Sequence, residues 1–252
     1  PLFALATFVG MLIFMEIGRR LGIRRGDNDS DGAHAGMGIV DGSVFALLGL
    51  LLGFSFYGAA SRFDERRTQI VEEANDIGTA YLRLDLLAPD ARPVLRNLFR
   101  EYLASRLATY QAIPDISATT HYLVKSEELQ QQIWREAVAA TTAPGAHPSS
   151  AVVTLPAINQ MIDITTTRTM AARMHPPAVI PALLFVLCLT CGAIAGYSTS
   201  ASRRRPWPHS LAFALMTCLT VFVILDVEYP RIGFVRIDSH DQVLVDLLDS
   251  FK

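Results

Sequence analysis

The sequence predicts an all-α membrane protein, with four transmembrane helices in two hairpins that flank a soluble helical domain and a second span that continues as a long helix. Three observations predict it. Apolar residues make up 51% of the 252 residues and charged ones only 18%, an uncommonly greasy balance for a soluble helical protein. The apolar residues cluster into charge-free stretches at 1–15, 42–61, 178–202 and 206–225, and crossing a hydrocarbon core takes about 20 helical residues. Between the two pairs lies a polar stretch whose apolar residues recur at helical spacing.

The first hairpin occupies 1–60, with spans at about 2–17 and 40–60. Its first stretch is short and starts at residue 1 without a basic segment before it. That suits a trimmed or slightly short span of a chain that begins upstream. No A-x-A-like cleavage site follows, and Arg19-Arg20 sits where a membrane boundary belongs, so a signal peptide is disfavoured. The soluble domain takes 61–175. Asp90, Arg92 and Pro93 mark a helix start, and Leu95, Leu98, Phe99, Tyr102, Leu103 and Leu107 share a face until Pro114. A further helix is expected from near Ser126 to before Pro144, a linker at Gly145 to Ser150, and a last helix from Leu155 to Met174. His175-Pro176-Pro177 should break that helix. The second hairpin occupies 176–228, with spans at about 178–198 and 208–227. A tail, 229–252, carries an extended piece, Gly233 to Ile237, then a short amphipathic helix. That helix is expected to have Ser239 near its cap and Val243, Leu244, Leu247, Leu248 and Phe251 on one face, docked on the soluble domain.

The segment from Asp41 to Leu87 holds no proline and keeps a seven-residue rhythm. Its seam reads Gly42, Ala46, Gly49, Gly53, Phe56, Ala60, Phe63, Arg67, Ile70, Ala74, Ile77, Tyr81, Leu84. Small residues let helix backbones approach closely in lipid, and the larger apolar set beyond Ala60 suits a soluble coiled-coil-like contact. One unbroken helix on the order of 70 Å long is therefore expected to leave the bilayer. Gly42, Ala46, Gly49, Gly53 and Ala60, with Gly192 and Gly196 in the third span, are the candidate helix-packing residues. They suit either packing within one chain or self-association into a homo-oligomer.

Several chemistries find no footing. The net charge is -2 and no stripe of Lys and Arg interleaved with aromatics occurs, which excludes a nucleic-acid partner. Cys188, Cys191 and Cys218 lie in uncharged spans without His or carboxylate partners and read as packing rather than a redox or zinc site. The six histidines are dispersed, with no HExxH and no phosphate-cradling glycine loop, so the chain is not expected to be an enzyme and no cofactor is expected beyond calcium. Asp27, Asp29, Asp31 and Gly32 have the opening spacing of a calcium loop, although Gly38 stands where its bidentate Glu belongs. A solvated hairpin turn is the plainer account. Asp41 is expected either to cap the second helix or to stand on an ion path. Glu65, Glu72, Glu73 and Asp76, with Arg62, Arg66 and Arg67, read as a solvated face laced by i to i+4 pairs.

The run Leu52-Gly53-Phe54-Ser55-Phe56, then Ser61-Arg62-Phe63-Asp64-Glu65-Arg66-Arg67, Glu72-Glu73-Ala74-Asn75 and Tyr81-Leu82-Arg83-Leu84, resumed by Tyr229-Pro230 and Gly233, resembles a bacterial membrane family. It is similar to the bestrophin-like domain family, formerly a domain of unknown function. The resemblance implies a multi-pass protein of the bacterial inner (plasma) membrane. True bestrophins share the order of hairpin, helical domain, hairpin and tail, and are pentameric anion channels. Their calcium clasp uses an acidic run after the fourth span, where this chain has only scattered Asp226, Glu228, Asp238 and Asp241. Their pore neck is an apolar ring on the second span, of which Phe54, Phe56 and Tyr57 are reminiscent.

These readings point to an oligomeric channel in the lipid bilayer, with Asp41, Ser43, Gly49, Gly53, Phe56 and Arg67 as pore-lining candidates and the helical domain as vestibule or gate. Arg67 repeated around an axis would make a positive ring that favours anions. The rival is a non-conducting scaffold or accessory subunit that binds another membrane protein through the helical domain. Arg19, Arg20, Arg24, Arg25, Arg203, Arg204 and Arg205 crowd the short loops. By the positive-inside rule this puts the domain in the periplasm, whereas the bestrophin layout implies the reverse.

Overall fold

The structure, a computed structural model, describes residues 2–26, 33–200 and 207–251. It is helical, with no strand among the described residues. Among the described residues, four helices are long and apolar enough to cross a membrane, within Leu2–Arg24, Gly38–Leu86, Val179–Ser198 and Trp207–Glu228. The chain divides into two compact units, Pro1–Ser61 with His175–Glu228, and Arg62–Met174 with Tyr229–Lys252.

The first unit contains α1 (Leu2–Gly26), the first part of α2 (Ala33–Arg83), α6 (Val179–Ser198) and α7 (Trp207–Glu228). α1 outruns the expected 2–17 because nothing breaks it after Ile17, and an i to i+4 pair, Arg20 to Glu16 at 2.8 Å, supports the added turns. Its principal partners are α6 and α7 rather than its sequence neighbour α2. Glycine explains that choice. A Cβ at Gly18 would collide with the Ala193 backbone, one at Gly196 with the Met15 backbone, and one at Gly192 would lie 3.0 Å from the Met11 carbonyl oxygen. Such close approach suits an environment where packing rather than water drives helix association. Met11, Met15, Leu184, Cys188, Cys191 and Val221 fill the space between, and the Cys218 thiol donates to the Ala4 carbonyl at 3.1 Å.

α2 starts at Ala33, ahead of Asp41, and no proline interrupts 33–40. Asp41 is therefore inside the helix and does not cap it. Its carboxylate accepts from the Ser198 hydroxyl of α6 at 3.0 Å.

The second unit takes the rest of α2, α3 (Arg92–Gln111), α4 (Ile116–Thr142), α5 (Pro148–Arg173) and α8 (Gln242–Ser250). α3 starts with Pro93 in its first turn, where its missing N–H costs nothing. α4 begins ten residues before Ser126, because Asp115 caps it by accepting from Ser117 N and Ala118 N at 2.9 and 3.0 Å. Ser126 is buried instead, its hydroxyl 2.9 Å from that of Ser105. α5 likewise begins early. His147 caps it, Pro148 opens it, and Pro156 is carried inside, so the linker shrinks to the turn around Gly145, whose φ of 87° suits glycine.

One core joins Ile77 of α2, Leu84 in the 3-10 turn just after it, Leu95, Phe99 and Leu103 of α3, Ile133 of α4, Ile158 and Met161 of α5, and Leu244 and Phe251 of the tail. Phe251 stacks on Tyr81 with ring centroids 3.7 Å apart, and Arg100 donates to its carbonyl. The expected extended piece at 233–237 is a set of bends, closed by Ile237 N donating to Pro230 O at 3.2 Å. A 3-10 turn, Asp238–Asp241, then leads into α8, whose cap position is Asp241, two residues after Ser239. Val243 is 39% exposed and Leu244 fully buried, so the helix packs through Leu244, Leu247 and Leu248 and not through Val243.

Candidate functional site

Two places concentrate the chemistry: the apolar part of α2 and a buried charge cluster in the second unit. In α2, Gly42, Ser43, Ala46, Gly49, Gly53 and Phe56 are exposed, and Ala60 is half-buried. A Cβ on Gly42, Gly49 or Gly53 would meet nothing within 4 Å. The small residues therefore divide, with Gly192 and Gly196 pressed on α1 and the α2 set open. Only 6% of the most apolar α2 window is buried, against 28%, 33% and 28% for the other three apolar helices. Phe54 and Tyr57 are also uncovered, at 65% and 74% exposure. Two polar groups early on this helix are engaged: Asp41 by Ser198, and the Ser43 hydroxyl by the Ile39 carbonyl at 2.9 Å.

The charged run after Ala60 is not a uniform solvated face. Glu65 and Glu72 are exposed, but Arg66 is buried, donating from Nε to Ala171 O at 3.1 Å and from Nη2 to Met174 O at 2.9 Å. Arg67 is half exposed. Its Nε donates to His240 Nε2 at 2.9 Å, its Nη1 reaches Asp64 at 3.3 Å, and its guanidinium lies over the Phe63 ring.

Glu73 has no exposure at all. Its Oε1 accepts from Arg106 Nε at 2.6 Å, and its Oε2 accepts from the Tyr110 hydroxyl at 2.9 Å and from Arg168 Nη1. Arg106 Nη2 also donates to the Tyr110 hydroxyl. Guanidinium groups of Arg168, Arg106 and Arg231 lie 4.0, 5.0 and 5.2 Å from the Tyr110 ring centroid, the cation-π arrangement. Arg231 is held by both oxygens of Asp241, at 2.8 and 3.1 Å. Burial pushes the Tyr110 hydroxyl up to about 12, with Arg106 pulling the other way, and burial lowers Arg168 while Asp241 opposes the change. The cluster thus joins α2, α3, α5 and the tail.

Sequence reasoning grouped Glu73 with its exposed neighbours and passed over Arg106, Tyr110, Arg168 and Arg231. A signal existed. Glu73 falls three after Ile70 and four before Ile77, on the buried side of α2, and Arg106 lies between Leu103 and Leu107.

Asp27, Asp29 and Asp31 lie outside the described residues. A calcium clasp in the tail does not fit the groups there. Asp241 and Asp238 face Arg231, Asp238 also faces Arg236 at 3.4 Å, and Glu228 bonds His175 at 2.9 Å. Guanidinium groups hold the places a cation would need. Among the described residues no three His, Cys, Asp or Glu side chains gather for a metal.

Comparison with known proteins adds a family. The crystal structure of a bacterial bestrophin homolog from Klebsiella pneumoniae, a point mutant, matches 98% of this chain over 99% of its own, with a TM-score of 0.68 at 11% identity. That likeness is one of fold. No curated protein matches the sequence. The family description that does match, Bestrophin-like domain, covers residues 4–241 and with them every described element except the end of the tail, so the chain belongs to the bestrophin-like domain family.

Proposed function

We propose that this protein is an oligomeric, multi-pass protein of the bacterial inner membrane that conducts anions along an axis lined by α2. The observation that carries the reading is the open face of α2, where an apolar helix with Gly42, Gly49 and Gly53 in register has only 6% of its most apolar window covered by its own chain. Lipid alone does not call for glycine at those positions, because glycine leaves less surface to pack. Close approach of identical helices does. Family membership and the bestrophin fold support the same arrangement.

In this reading Phe56 gives the axis an apolar constriction, Ser43 and Asp41 mark one approach to it, and Arg67 contributes a positive ring at the other. A ring of fixed charge raises the local concentration of the opposite ion, so the ring selects anions. The loop arginines favour a periplasmic helical domain, which a topology reporter fused after Lys252 reads directly. Purified protein in sealed liposomes should pass chloride faster than potassium, and Arg67→Glu should reverse that order. Selectivity unchanged by Arg67→Glu removes the ring, and oligomeric protein that leaves the liposomes tight removes conduction.

A further inference from the structure

At the end of the first unit where α6 finishes and α7 begins, a cavity of about 50 Å³ opens beside α1. That is space for a few waters or one tetrahedral oxyanion, given roughly 10–15 Å³ of such space per water. Leu12 and Trp207 line it with Glu16, Arg19, Thr199 and Ser210, so its lining mixes apolar and polar groups. The α1–α6 crossing at Gly196, also in the lining, sets how near the two backbones come.

The donor inventory is unbalanced. Arg19 Nε is sequestered from solvent without a hydrogen-bond partner, which costs the full desolvation of that donor unless an acceptor arrives. The nearby carboxylate, Glu16, takes the Nε of Arg20 instead. The Thr199 hydroxyl points its hydrogen at Ala195 O or Gly196 O, at 2.9 and 3.1 Å, and so offers the cavity only lone pairs. Ser210 brings a hydroxyl from the first turn of α7. A guanidinium with an unmet donor and a hydroxyl beside one small space favour an anion over water, and the planar guanidinium fork matches a phosphate in particular. The position adds to this. Arg19, Arg20 and Trp207 stand at the ends of apolar helices, the level at which cations and tryptophan meet lipid headgroups.

We infer that this cavity is a phosphate subsite, held by Arg19 and Ser210 beneath Trp207, that takes the headgroup phosphate of an anionic phospholipid. The lipid source rests on the membrane placement proposed above and not on conduction. The full chain in detergent, stripped of lipid, is titrated with phosphatidylglycerol, phosphatidylcholine and inorganic phosphate. Native mass spectrometry counts adducts and thermal unfolding reads the stabilisation. Phosphatidylglycerol should bind more tightly than phosphatidylcholine, Arg19→Gln should weaken it about tenfold, as loss of one charge-assisted contact implies, and Arg20→Gln, the same charge change outside the cavity, should stay within about twofold. Ser210→Ala, a milder variant for the case that Arg19→Gln misfolds, should weaken it about threefold. If inorganic phosphate gives the Arg19-dependent stabilisation while the two lipids bind alike, the subsite stands with a soluble anion as its ligand. Binding of lipid and phosphate that is indifferent to both Arg19 and Ser210 overturns the inference. A chain that stays monodisperse without amphiphile would sink the membrane placement instead, and the phosphate titration would still test the cavity.

Discussion

Glu73 neutralises two guanidinium groups in a place that water does not reach, so its removal is costlier than the loss of an ordinary surface ion pair. Buried charge left without its counterion typically costs about 3–5 kcal/mol. Glu73→Gln should therefore lower the thermal midpoint of detergent-solubilised protein by the equivalent of about 3 kcal/mol or more. Replacing Glu73, Arg106 and Arg168 together with methionine should recover part of that loss, because no orphaned charge is then left behind. A Glu73→Gln protein as stable as the parent would mean that the two arginines have other acceptors. Tyr110 adds a dependence on pH. Its hydroxyl holds its proton more tightly in the folded chain, at about 12 against 10 when free, so its contribution is complete below pH 10 and disappears as pH climbs toward 12. The loss is on the order of 2 kcal/mol, and Tyr110→Phe should flatten the alkaline part of a stability profile measured against pH. At this scale the sequence was least legible. Glu72 and Glu73 are adjacent and chemically identical, yet only Glu73 is on the covered side of α2, and its partners stand 33 and 95 positions away.

Among the elements, the crossing of α1 and α6 depends on the absence of side chains. Gly18 and Gly196 each stand against a backbone that a Cβ would enter, so leucine at Gly196 must push the helices apart or unseat them. Gly196→Leu is expected to lower the thermal midpoint sharply and to open the packing around Cys188 and Cys191, which thiol labelling can follow. Leucine at Gly49, where nothing lies within 4 Å, should leave the isolated chain as stable as before and act only on assembly, visible as a smaller species by native mass spectrometry. The apolar helices were legible because hydropathy is a property of local composition, and α6 and α7 occupy the stretches that composition marks out. Their pairing was not. Glycine spacing reads equally well as self-association or as contact within a chain, and only the register of Gly192 and Gly196 against Met11 and Met15 decides. The starts of α4 and α5 were missed for a different reason. Asp115 and His147 cap from just outside the helix after proline-bearing turns, whereas sequence alone suggested a helix end at Pro114, the next start only near Ser126, and a linker at Gly145 to Ser150.

At the scale of the whole molecule, the chain is a bestrophin-like domain built on long apolar helices, and under the conduction proposed above its sparse polar stripe would leave ion selection to the few charged side chains near α2. Arg67 is central to that reading, and its bond to His240 ties it to the tail. The uncovered side of α2 has one more implication. A polypeptide that leaves so apolar an element bare would, if it assembles as proposed, complete its native contacts only in company, so its robustness would rise with the number of sister copies sharing a given patch of bilayer. Dilution into excess lipid would then lower its stability without any change of solvent.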